Sequence, residues 1–145
     1  MYKFDFESIL QHKIFIEKIL ERELAVLKQD LFDEKEKLNI NIKEREKHMI
    51  DFEQKQRDGI SASNSFLYQN FFDRLSKELK LQRKQVGNLE NKVGRKNNDL
   101  IEAMKKRKIL DKLKQKGLQL YMKRLVKKEQ KFVDEVSINN YIRNV

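Results

Sequence analysis

The chain contains no cysteine, no proline and no tryptophan, and only 4 glycines in 145 residues. Without cysteine there is no disulfide framework, no thiolate metal site and no thiol nucleophile, a usage that fits a reducing compartment. The absence of proline and the scarcity of glycine remove the residues that end helices and turn strands, which disfavours the sheet classes with their frequent turns. No apolar run approaches the roughly 18 residues of a membrane span. The opening MYKFDFESILQHKIFIEKIL carries charge every few positions, unlike a signal peptide. Together these absences predict a cytoplasmic, soluble protein without a large central core.

Charged residues make up 39% of the sequence and hydrophobic residues another 39%, in a composition rich in Lys, Glu, Leu, Ile, Arg and Gln that suits long helices. Apolar residues recur every three or four positions from Ile16 through Leu20, Leu24, Leu27, Leu31, Leu38, Ile42, Met49 and Phe52, with polar lapses at Glu34 and Arg45. A second series runs from Leu67 through Phe71, Leu75, Leu79, Val86, Leu89, Val93, Leu100 and Ala103 to Leu110, with lapses at Gln82, Lys96 and Arg107. From Leu75 its steps alternate four and three, the 3.5-residue spacing of a left-handed coiled coil. Between the two series lies RDGISASNS, the one break, with a glycine able to end a helix and serines able to cap the next.

The fold expected is all-α, a long antiparallel two-helix coiled-coil hairpin in a single domain. Helix one covers about residues 5–57, the turn about 58–64, helix two about 64–137, and a short tail 138–145. At about 1.5 Å per residue the helices would be about 80 and 110 Å long. With the turn centred near residue 61, residue i should face residue 122 − i, which sets Phe4 opposite Leu118 and leaves about twenty residues of helix two beyond the reach of helix one. That C-terminal overhang carries Leu118, Tyr121, Leu125, Phe132 and Val136, and a sustained unpaired apolar stripe marks an interface.

The net charge of +10 is concentrated. Residues 105–131 hold 12 Lys and Arg against Asp111 and Glu129, whereas residues 1–104 hold 20 against 19. Such a block predicts an acidic partner surface on protein, nucleic acid or phospholipid. The cations of residues 105–128 lie all round the helix, with Tyr121 the one stacking aromatic, so a basic coiled coil binding nucleic acid or an anionic surface nonspecifically is the alternative reading. Self-association through the overhang is a third.

Catalytic chemistry finds nothing to use. His12 and His48 lie apart with no ligand pattern around them, FDEKEK reads as a solvated face, and there is neither a phosphate-cradling glycine loop nor a nucleophile constellation. No catalytic residue, metal site or cofactor is expected. Phe66, Tyr68, Phe71 and Phe72 crowd the start of helix two opposite Phe52, forming either a local cluster that closes the hairpin or a second binding site.

Residues 103–137 resemble the C-terminal signature of the flagellar type III export protein family FliJ. Met104, Arg107, Lys108, Ile109, Leu110, Lys112 and Leu113 match its basic-hydrophobic run, followed by Tyr121, by Glu129, Gln130 and Lys131, and by Asp134 and Glu135. Phe4, Glu7, Ser8, Ile9 and Leu10 match its N-terminus, and the resemblance extends between these ends by periodicity alone. It implies a non-enzymatic, stalk-like coiled coil, peripheral to the inner membrane at the flagellar basal body. The implied partners are the export ATPase hexamer and its regulator, the cytoplasmic domain of the export gate, and export chaperones. On that reading the ATPase end comprises Phe4, Arg107, Lys108, Lys112, Tyr121, Arg124, Leu125, Gln130, Phe132 and Val136. Phe52, Tyr68 and Phe72 are placed on the gate or chaperone side from expected exposure, not from the resemblance.

Overall fold

A computed structural model describes every residue from Met1 to Val145. It contains two α-helices and no strand: α1 is Glu7–Asp58 and α2 is Ala62–Arg143. Glu7 opens α1 where an acidic side chain meets the positive end of the helix dipole, and Lys55 and Arg57 close it at the negative end. Gly59 follows with φ of 95°, the left-handed conformation that glycine reaches without a Cβ penalty. Ser61 then caps α2, its Oγ accepting the backbone N–H of Asn64 at 3.2 Å. The linker is thus shorter than expected, because the Ser61 cap acts at once. At its other end α2 continues to Arg143, through most of the residues expected to form a tail, since no proline or glycine lies there to stop it.

The helices pack against each other within two compact units. The first is Ile19–Leu100. Its seam is the pair of apolar series: Leu24, Leu79 and Val86 are buried, and Leu20, Leu27, Leu31, Leu38, Leu75, Leu89 and Val93 are half-buried. The cross-contacts run in antiparallel order, Glu23 to Lys96 at 2.7 Å, Lys35 to Glu90 at 3.3 Å and Asn41 to Gln82 at 2.9 Å. The lapses in the apolar pattern are thereby explained in part. Gln82 receives the Asn41 amide across the seam, and Lys96 reaches Glu23, which raises its pKa chiefly through that hydrogen bond.

Arg45 is the lapse left incomplete, with a buried Nε that makes no hydrogen bond. A buried unmatched donor costs about 1–3 kcal/mol, so Arg45→Leu is expected to stabilise the fold by about 1 kcal/mol, read as a higher melting temperature; a lower one would contradict this. Leu67, assigned to the second apolar series, is 63% exposed. Three successive steps of four separate it from Leu79, and each turns about 40° past a full rotation, which carries Leu67 off the seam.

Candidate partner-binding surface

The second unit joins Met1–Lys18 to Ile101–Val145 and holds the whole basic block. Leu10, 2% exposed, and Ala103 form its small apolar core. Around them the seam is polar. Glu17 is buried and accepts a hydrogen bond from Arg107 Nε, while Arg107 Nη1 reaches Asp111 at 2.6 Å. These two carboxylates, Glu17 first, push the Arg107 pKa up. Lys114 Nζ lies 2.9 Å from Glu7, and Gln11 donates to the same carboxylate at 3.0 Å.

The Lys114 and Gln11 bonds hold the Glu7 pKa below its ordinary value. A carboxylate so depressed contributes stability that is complete above the ordinary carboxylate range and is lost as pH falls through the lower folded value. The melting temperatures of wild type and Glu7→Gln should therefore differ at neutral pH and converge in acid. A gap that persists in acid would refute the assignment.

The residues preceding α1 pack on α2. The Tyr2 ring lies 5.8 Å from that of Tyr121, and its hydroxyl donates to the Lys114 carbonyl at 3.2 Å. Gly117 makes this seat possible, because a Cβ there would collide with the Tyr2 hydroxyl. Gly117 takes the seam position, so Leu118, expected opposite Phe4, is exposed instead. Phe4 is half-buried with its ring 5.9 Å from Phe6.

The residues assigned to an ATPase end therefore fall into two groups. Phe4, Arg107 and Tyr121 are engaged within the unit. Lys108, Lys112, Arg124, Leu125, Gln130, Phe132 and Val136 are exposed, with Gln130 donating to Asp134 at 3.1 Å. Every residue from 122 to 145 is exposed although α2 remains helical to Arg143, and Phe132 is 67% exposed.

In the other unit, Phe52, Tyr68 and Phe72 are half-buried and pack on one another, with centroid distances of 5.0 and 5.8 Å from Phe52 to Tyr68 and Phe72. Lys55 donates to the Tyr68 hydroxyl at 2.5 Å, which raises its own pKa. Phe71 meets Phe72 on one side and His48 on the other, 5.7 and 5.2 Å away. Near this cluster Met49, Ile50, Phe66 and Leu67 face solvent; of these only Phe66 belongs to the aromatic group that the sequence offers as a second binding site. The step analysis that turns Leu67 off the seam is the signal that finds it.

No group of three or more His, Asp or Glu could hold a metal ion, and no helix is long and apolar enough to cross a membrane. What the geometry presents is a helical protein with a long exposed C-terminal segment of α2 that carries both apolar and basic side chains. The chain belongs to the FliJ family, whose sequence model, described as Flagellar FliJ protein, matches residues 2–145. That family comprises components of flagellar protein export. No curated protein and no solved structure matches the chain.

Proposed function

We propose that this protein is a non-enzymatic, stalk-like component of the flagellar type III export apparatus that binds the export ATPase ring and links it to the export gate. The observation that carries the reading is the bare C-terminal part of α2. Residues 122–143 stay helical with every side chain exposed, among them Leu125, Val126, Phe132, Val133 and Val136. A helix with no tertiary packing is marginal in water, so a face of this kind is completed by a partner. It follows the part of α2 that carries buried and half-buried residues, and the adjoining excess of Lys and Arg selects an acidic partner surface.

In this account Phe132, Val136 and Leu125 make the apolar contact, and Lys108, Lys112, Arg124 and Gln130 the polar one. Arg107, Tyr121 and Phe4 hold the unit that presents them. At the other unit, the Phe52, Tyr68 and Phe72 cluster supports exposed Phe66 and Leu67 as the gate or chaperone contact. The protein would work in the cytoplasm, meeting the inner membrane only through the apparatus. The test is hexamer assembly and turnover of the export ATPase of the same flagellar system, with and without the protein. Faster turnover and co-sedimentation at low salt are expected; an unchanged rate without co-sedimentation would remove the reading.

A further inference from the structure

Over residues 118–136 the exposed side chains of α2 sort into two faces. At about 100° per residue, Leu118, Met122, Leu125, Phe132, Val133 and Val136 fall within an arc of about 120°, with Val126 at its edge. All five cations of the segment, Lys123, Arg124, Lys127, Lys128 and Lys131, fall outside that arc, on the side where Leu120 is the one large apolar residue. The seam between Met1–Lys18 and α2, carried on α2 by Leu110, Lys114, Gly117 and Tyr121, continues at its own spacing through Arg124, Lys128 and Lys131. The apolar face begins one position later, turned about 100° from that line. A longer α1 would meet cations, not this face. The face is built for something that approaches from another side.

One charged residue interrupts the apolar arc. Glu129 lies near its centre, and no bond from its side chain to another residue occurs. Its position decides among the possible occupants. An anionic bilayer would receive Glu129 as the deepest residue of the helix, where a carboxylate is expensive. A second copy of this face brings no cation to its centre, because all five lie outside the apolar arc, with Lys123 and Lys128 only at its flanks, and an unpaired buried charge is strongly unfavourable. We infer that the face seats in an apolar groove of a protein partner that carries one buried Arg or Lys opposite Glu129, with acidic rims beside Lys123 and Lys128. The inference deepens the reading of the C-terminal part of α2 as the ATPase contact and rests on it.

The experiment measures binding of the full-length protein to the export ATPase hexamer, together with binding to phosphatidylglycerol vesicles and sedimentation of the protein alone. Wild type should bind the hexamer, ignore the vesicles and sediment as a monomer. Glu129→Leu should weaken the hexamer complex about thirtyfold or more by stranding the partner's cation, while making the apolar face continuous and so promoting vesicle binding or self-association. Glu129→Gln, which still accepts hydrogen bonds, should fall between. Thermal melting should be the same for all three, because the segment is exposed in the folded chain. Hexamer binding that is unchanged or tightened by Glu129→Leu overturns the inference alone, as does vesicle binding or dimerisation by wild type that Phe132→Ala abolishes. Failure of wild type to bind the hexamer overturns both the inference and the ATPase reading.

Discussion

Replacing Phe132 and Val136 together by alanine is expected to weaken the complex with the export ATPase by about a hundredfold while leaving the melting temperature unchanged. Covering a large apolar side chain stabilises a complex by about 1.5–3 kcal/mol, and two such contacts at the lower end of that range, at 1.4 kcal/mol per factor of ten, give a loss of about a hundredfold. The folded chain gains nothing from these side chains, which are 67% and 41% exposed. A separation of this kind, with binding lost and stability kept, is what distinguishes an interface from a core. A melting temperature that falls with the double substitution would show that the face is covered within the protein. Unaltered affinity would move the contact elsewhere.

Arg107→Ala should do the opposite, destabilising the unit of Met1–Lys18 and Ile101–Val145 by about 2 kcal/mol before any effect on binding. Glu17 is 7% exposed and Arg107 is its charge partner across the seam, so truncating Arg107 leaves a carboxylate desolvated and unpaired. Since 24% of the Arg107 side chain still meets water, the loss stays below that of a fully enclosed pair. Replacing both partners, Glu17→Leu with Arg107→Leu, should recover most of the stability, because the penalty belongs to the stranded charge and not to the absence of the pair. If Arg107→Ala melts like wild type and only partner binding falls, Arg107 belongs to the interface and the seam pairing has no weight.

The two substitutions also mark where the sequence could and could not be read. Its apolar spacing identified both helices, and the rule pairing i with 122 − i agrees with Glu7 meeting Lys114 and Glu17 meeting Arg107 to within two residues. Periodicity is a one-dimensional property of each helix and it survives folding unchanged. What polar residues do inside a seam is a property of two helices at once. In the sequence Arg107 is a lapse in a stripe and a candidate partner contact, whereas in the fold its guanidinium is bonded to Glu17 across the seam. Tyr121, likewise assigned to a partner, lies under Tyr2 because Gly117 leaves room there, an arrangement that spacing cannot report. Phe52, Tyr68 and Phe72 are mutually packed for a similar reason: aromatic crowding was evident, but which rings face outward depends on their rotation about α2, and Phe66 and Leu67 are the exposed pair. The basic and apolar faces of residues 118–136 are legible in the sequence at about 100° per residue, but only over that segment, because across residues 105–128 the cations lie all round the helix.

On the proposed reading residues 122–143 form a helix whose exposed face a partner protein covers. Amide hydrogen exchange of the full-length protein, measured alone and with the export ATPase hexamer, tests it most directly. Alone, the backbone beyond Met122 should exchange faster than the seam segments around Leu79 and Val86, since no tertiary packing supports it. With the hexamer, exchange across residues 122–143 should slow while the segments around Leu79 and Val86 stay as they were. Exchange beyond Met122 that is already slow in the dilute free protein, or that the hexamer leaves unchanged, would contradict the account.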